Sequence, residues 1–251
     1  MSSPTRRFRL LVHYDGSRFH GWQVQPDVPT VQGRIEAVLE QISGAPRTLH
    51  GSGRTDTGVH AIGQVAAVDL PSRWEAERVH AALNALLPDG IWIEAVTPTP
   101  PGFHPRFDAL DRTYHYRLGI DRRAFSPFHR PFCWPLRTTP DLDVMQGAAL
   151  ALPGDHSFVA FAKAGQPERG ERCTVHRIEW VKWEMGVEFR ITANRYLHHM
   201  VRYLVGTLVE IGIGARPAGD LASLLHDPAS GLVTSPPAPP EGLFLARVRY
   251  D

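Results

Sequence analysis

Arg7-Phe8-Arg9-Leu10-Leu11-Val12-His13-Tyr14 alternates side-chain type, with Phe8, Leu10, Val12 and Tyr14 on one face. A period of two is the mark of a half-buried strand. Asp15-Gly16 ends it. Thr30 then caps a helix whose Val31, Ile35, Val38, Leu39 and Ile42 keep helical spacing until Ser43-Gly44 and Pro46. A short strand near Thr48–His50 leads into a glycine-rich turn, and Ile62–Asp69 returns as a strand. Ser72 with Glu75 has the spacing of a capping box for a second helix bearing Val79, Leu83, Leu86 and Leu87. Pro88-Asp89-Gly90 breaks that helix before a strand over Ile91–Val96. The order is βαββαβ, the ferredoxin-like unit.

Thr97-Pro-Thr-Pro-Pro-Gly102 reads as a linker, and the same order recurs beyond it. A strand is expected over Arg112–Ile120, a helix over Leu142–Leu152, and a hairpin of Val175–Glu184 with Val187–Ala193. Helices over Leu197–Ile213 and Pro217–His226 and a last strand over Leu243–Tyr250 complete it. The expectation is an α+β chain of two ferredoxin-like halves, 1–101 and 102–251, whose antiparallel sheets flank a central active-site cleft.

The 251 residues suffice for such a pair, and the apolar and charged fractions are those of a soluble globular protein. No apolar run is long enough to span a membrane, and Met1–Arg7 lacks a signal core. Two cysteines, Cys133 and Cys173, make no disulfide framework, so a cytoplasmic enzyme is expected. Net charge is +1, but seven arginines lie between Gly102 and Arg137, among them Arg106 and Arg112, interleaved with Phe103, Phe107, Tyr114 and Tyr116. Basic side chains alternating with aromatics suit a nucleic-acid backbone and its bases. A solvated arginine-rich face has the same composition.

The glycine turn is Gly51-Ser-Gly-Arg54-Thr55-Asp56-Thr57-Gly58-Val59-His60. One carboxylate sits among three glycines beside an arginine, so Asp56 is placed either for chemistry or simply to close a turn. Val59-His60 stands where a phosphate loop needs Lys and Ser/Thr, and Asp56 stands where a dinucleotide fingerprint needs glycine. Asp56-Thr57-Gly58 matches an aspartic-protease signature, but that chemistry needs two carboxylates sharing a proton and the tripeptide occurs once. In the helix after Leu197, Arg202 lies among Met200, Val201, Leu204 and Val205. A buried guanidinium there needs a carboxylate from elsewhere, unless its head snorkels to the surface. His198 and His199 project differently and have no evident third ligand, so no metal is expected.

From end to end the chain resembles the bacterial tRNA pseudouridine synthase A family. The matching segments begin with Tyr14-Asp-Gly-x-x-Phe19-x-Gly21-Trp22-Gln23-x-Gln25 and Gly53-Arg-Thr-Asp-x-Gly-Val-His-Ala61. They continue through Arg112-x-Tyr114-x-Tyr116, His198-His-Met-Val-Arg202 with Val205-Gly206, and Ala238-Pro-x-x-Gly242-Leu243. Thr57 departs from the family's usual alanine and Tyr203 from its usual asparagine; neither change removes a catalytic side chain.

The resemblance implies the pseudouridine synthase fold and isomerisation of uridine to pseudouridine in the tRNA anticodon stem-loop, at tRNA positions 38, 39 and 40. It further implies a homodimer, with its interface in the second half, and neither cofactor nor metal. By analogy Asp56 attacks uracil C6 or ribose C1′, or removes a ribose proton. Arg202 pairs with it and keeps it ionised, and Tyr114 stacks on the uracil and helps remove the C5 proton. Leu243 is an apolar wall of the pocket, and Arg54 fills the stack left by the flipped base. Thr55 and His60, on the same motif, are expected at the substrate. The loop Ser17–Gln23 offers Arg18, Trp22 and Gln23 to RNA, although Trp22 itself reads rather as a packing residue. A non-catalytic tRNA-binding protein and a dimeric aspartic protease are the rival readings.

Overall fold

Strand β1 (Thr5–Tyr14) buries Phe8, Leu10, Val12 and Tyr14 and leaves Arg9 in solvent, as its alternation requires. The computed structural model describes residues 4–163, 170–227 and 231–251. Its contacts divide the chain into two compact units, Met1–Leu110 with Phe244–Asp251, and Asp111–Leu243.

In the first unit, β1 pairs antiparallel with β3 (His60–Pro71) on one side and β4 (Ile91–Thr99) on the other, and the short β2 (His50–Gly51) pairs with β3. Helix α1 (Val31–Ser43) opens on Thr30, whose hydroxyl accepts from the Gly33 N–H, and closes on Gly44 in the left-handed region. Helix α2 (Ala76–Leu86) contributes Val79 and Leu83 to the same core as Ile35 and Leu39 of α1. The element order is the expected βαββαβ.

Three local expectations give way. The Ser72–Glu75 capping box does not form: α2 starts at Ala76 with Glu75 as its N-cap and no side-chain cap bond, because the Glu75 carboxylate is drawn 3.0 Å from Arg6. The supposed linker begins inside β4, where Arg9 pairs with Thr97, Phe8 with Pro98 and Arg7 with Thr99. Pro98 is tolerated because β4 is an edge strand and its missing N–H breaks no ladder. The unit boundary therefore falls at 110/111 and not at 101/102. Residues 103–110 stay with the first unit through Arg7 Nη1 to Phe103 O (2.8 Å), Tyr250 OH to Pro105 O (2.7 Å) and Leu110 N to Arg249 O (2.9 Å).

The second unit carries β5 (Asp111–Gly119), β6 (Trp134–Pro135), α3 (Leu142–Ala149), β7 (Gly154–Ser157), β8 (Arg172–Trp183) and β9 (Gly186–Ala193), then α4 (Met200–Gly212) and α5 (Asp220–His226). Its strands run in the order β5-β9-β8-β7, antiparallel throughout, with β6 parallel beside the end of β5. Met145, Phe158, Phe161, Phe189, Ile191, Leu204 and Leu208 are its fully buried centre. Asp141 caps α3 by accepting from Asp143 and Val144 N–H. Helix α4 starts three residues later than its apolar run, since His199 has φ 64° and ends the preceding turn. The last strand, β10 (Leu243–Arg249), was expected within the second half. From Phe244 onward it groups with the first unit and pairs in parallel with β3 at Phe244–His60 and Leu245–Ala61, so the sheet is mixed. No helix among the described residues is long and apolar enough to cross a membrane.

One carboxylate organises the polar face of the second sheet. Glu188, 4% exposed, accepts from Arg117 Nε (2.9 Å) and Arg190 Nε (2.8 Å), with His115 Nδ1 at 3.3 Å. Burial by itself would push the Glu188 pKa up, but the two arginine hydrogen bonds prevail and hold it below the usual carboxylate range. Burial also lowers the His115 pKa, the chief opposing influence being Glu188. A folded pKa below the unfolded one means stability present above the unfolded value and lost as pH falls through the folded one. Glu188→Gln is therefore expected to cost about 1–3 kcal/mol at pH 7 by urea unfolding. The gap to the wild type should close as pH falls through the lowered Glu188 value; a gap independent of pH refutes the ion-pair account.

Candidate active site

Asp56 sits on the turn between β2 and β3, and backbone contacts hold that turn from two sides. Val59 N donates to Asp56 O at 3.1 Å, so the main chain itself closes the bend, and Gly58 supplies its positive φ of 81°. Below it, Trp22 N donates to Thr55 O (3.1 Å), and the Tyr14 and Thr55 hydroxyls share a hydrogen bond of 2.7 Å. At the end of β1, the backbone of Gly16 lies so close to the turn that a Cβ there would stand 2.0 Å from Val59 O. Gly16 N also donates to His60 Nδ1 at 3.1 Å. A ring nitrogen that accepts a backbone N–H has no proton to give the nearby Asp15 Oδ1 (3.4 Å), so the backbone bond defines the contact. The other side of the His60 ring stacks on Phe244 (centroids 4.8 Å, 22°).

These contacts sort the first unit's expected site residues. Thr55 and His60 are buried within the unit, where they support the turn. Asp56 is half-buried and Arg54 is exposed. Trp22 is 2% exposed and its indole packs on Gly51, which takes its ring away from direct RNA contact and makes it a packing residue. Arg18 and Gln23 are exposed, and Arg18 is held 3.2 Å from Asp15. Arg106 is exposed beside Phe107.

In the second unit, one stretch of chain joins Arg202 to Leu243. Ala238 grips Arg202 twice: its carbonyl accepts from Arg202 Nε (2.7 Å) and its N–H donates to Arg202 O (2.9 Å). Arg202 is half-buried rather than fully enclosed, and this carbonyl, which the apolar run around it gives no hint of, orients its guanidinium. The grip depends on Gly206, one turn along α4, where a Cβ would stand 2.2 Å from Pro236 O. The same stretch continues to Pro239, whose carbonyl accepts from the buried Tyr116 hydroxyl (2.7 Å), and then to Leu243, 5% exposed.

Tyr114 and Tyr116 project from one face of β5, but only Tyr116 is enclosed; Tyr114 is half-buried. Its ring meets Tyr196 edge-on at 4.8 Å. Tyr196 is itself fixed by donating toward the Ile191 (2.8 Å) and Arg112 (3.1 Å) carbonyls. Burial raises the pKa of Tyr116 and of Tyr196 well above the usual phenol value, so both stay protonated and structural. Arg112 donates to Asn194 O at 3.0 Å. Burial pushes the Cys133 and Cys173 thiols up to about 11, so neither supplies a thiolate at neutral pH.

Comparison with known proteins follows the same residues. The profile of the tRNA pseudouridine synthase family matches residues 10–108 and 148–251. A tRNA pseudouridine synthase A of Chlorobaculum tepidum is 40% identical over 259 aligned positions, covering 100% of both chains. That of Rhodopseudomonas palustris is 39% identical, covering 97% of this chain and 98% of its own. Among solved structures, a Cbf5-Nop10-Gar1 complex aligns with 94% of this chain and 57% of its own, at 12% identity and a TM-score of 0.36.

Gly206→Ala is expected to push the 236–238 stretch off α4 and to cost about 1–3 kcal/mol in urea unfolding, the price of overpacking against immovable backbone. An unchanged midpoint would show that the stretch can shift without loss.

Proposed function

We propose a specific reaction centre for this chain, which belongs to the tRNA pseudouridine synthase A family and is an isomerase that makes pseudouridine from uridine in tRNA. Asp56 is the group that starts the reaction, by attack on uracil C6 or ribose C1′ or by taking a ribose proton. All three routes share one balance: the N1–C1′ bond breaks, the base turns, a C5–C1′ bond forms, and the C5 proton leaves as N1 gains one. No redox agent or phosphate donor enters that balance. The aspartic-protease reading of Asp56-Thr57-Gly58 has no place in this family.

The observation that carries the assignment is the support of the Asp56 turn. Backbone closure at Val59, the Tyr14–Thr55 hydrogen bond and the close approach of Gly16 hold one half-buried carboxylate in a fixed position. Preorganised charge of this kind is what an enzyme needs where charge develops. Arg202, oriented by the Ala238 carbonyl, supplies the complementary cation. Tyr114, braced by Tyr196, stacks on the uracil and helps remove the C5 proton, and Leu243 forms an apolar wall. Arg54 is exposed, as a side chain must be if it is to fill the stack of a helix whose base has flipped out.

Within tRNA the proposed substrate is the anticodon stem-loop, at positions 38, 39 and 40. Exposed Arg18, Gln23 and Arg106, with Arg112, track its backbone, since duplex RNA is read mainly by shape and phosphate. A homodimer formed through the second unit and a cytoplasmic setting complete the reading.

tRNA carrying tritium at uridine C5 tests it, because forming the new bond must release that tritium. Wild-type protein is expected to release it, while Asp56→Asn slows release by at least about 10²-fold, the least a positioned acid–base group is worth. The variant should still bind tRNA. Arg202→Met is expected to behave likewise. Turnover by Asp56→Asn at the wild-type rate would remove Asp56 from the chemistry.

A further inference from the structure

The turn of residues 103–108 in the first unit is built around one imidazole. His104 Nδ1 lies 3.1 Å from Arg106 N and 3.3 Å from Phe107 N and accepts from both. The His104 N–H donates to Asp108 Oδ2 (2.8 Å), and Asp108 N returns to His104 O (3.0 Å). The His104 ring lies against Phe107 with centroids 4.2 Å apart. Arg7, itself paired with Asp69, anchors the start of the turn at Phe103 O, and the Tyr250 hydroxyl anchors its middle at Pro105 O.

At its outer edge the turn presents an arginine and an aromatic ring. Phe107 is 59% exposed and the Arg106 guanidinium stands 5.9 Å from its centroid. A large exposed ring costs solvation, and fixing it on a rigid turn with a cation beside it is how proteins offer a stacking platform and a phosphate contact together. The turn also adjoins the chain that leads to Asp56. The His104 ring is 5.7 Å from that of His50, the first residue of β2, which runs directly into the Asp56 turn.

We propose that His104 is a positioning residue for tRNA: its neutral ring holds the 103–108 turn so that Arg106 takes a phosphate and Phe107 packs on a nucleotide other than the one that reacts. This inference rests on the reading of the chain as an enzyme that binds tRNA. It adds a proton switch to that reading, because Nδ1 can accept two N–H groups only while unprotonated. The groups facing the ring are Arg7 of β1, His50 of β2 and Asp108 of the turn itself. Partial burial, then the charge of His50, lower the His104 pKa, with Asp108 opposing. The turn is therefore intact above the ordinary histidine value and is lost as pH falls through the lower folded one.

Asparagine at 104 can accept from the N–H groups two and three residues on, as asparagine does in turns, whereas alanine cannot. The KM and kcat for tRNA of wild type, His104→Ala and His104→Asn, measured by tritium release at pH 7.5 and 5.5, separate the possibilities. His104→Ala is expected to raise KM about tenfold with kcat kept, and His104→Asn to restore it. Acidification should raise the wild-type KM more than that of His104→Asn. Arg106→Ala should cost far less in the His104→Ala background than alone. Unchanged KM in His104→Ala, a loss confined to kcat, or a full Arg106→Ala effect in both backgrounds overturns the proposal. If melting shows His104→Ala unfolded, wild type against His104→Asn decides, and parallel pH profiles overturn it. Absence of tritium release by wild type sinks the isomerase reading instead; filter binding of tRNA by the same proteins still tests His104.

Discussion

The close approach of Gly16 to the Val59 carbonyl is the constraint on which the first unit's site depends. Every non-glycine residue carries a Cβ, and none fits 2.0 Å from a carbonyl oxygen. That contact lets the end of β1 lie under the turn after β2, so the strand in the middle of the unit supports the turn that carries the carboxylate. Tyr14, the last residue of β1, then reaches Thr55, and Gly16 N reaches His60. The acid sits on a loop, yet its support is as rigid as a sheet. Rigid support of a mobile-looking element is what precise placement of a reacting group requires.

The second unit solves a different problem, that of orienting a cation. A guanidinium among apolar neighbours is costly unless its donors are used. The stretch after Pro236 crosses α4 where Gly206 leaves room, and Ala238 then binds Arg202 through both its N–H and its carbonyl. A carbonyl oxygen directs an arginine without neutralising it, which leaves its full charge for a carboxylate or phosphate.

Elements with many residues in one period were legible in the sequence, and elements made by single distant contacts were not. The alternation of β1, the Thr30 cap of α1 and the spacing of α4 are local facts, and the structure keeps them. β6 and β7 are two and four residues long, too short for any period to declare itself. Pro98 reads as a breaker because sequence does not say which strand lies at an edge. The Ser72–Glu75 pattern failed because Arg6, far away in sequence, draws the carboxylate off. Asp56 and Arg202 stood out by residue type against their surroundings. The roles of Ala238, Tyr196 and His104 did not, because a backbone carbonyl, a braced ring and an accepting imidazole nitrogen leave no pattern in a single sequence.

Tyr114 and Tyr116 show how packing assigns roles that sequence leaves equivalent. They lie two residues apart on one face of β5 and have the same chemistry. Tyr116 is covered by the Pro239 stretch, which takes its hydroxyl, and its burial keeps it a neutral phenol over the whole working range of pH. Tyr114 lies one repeat earlier, where Tyr196 meets its ring edge-to-face and leaves it half-buried. An edge-to-face contact fixes the orientation of a ring without enclosing it. The residue that closes the core and the residue proposed to stack on the base are thus separated by coverage alone. The covering segment is the one that also orients Arg202, so a single stretch of chain determines both.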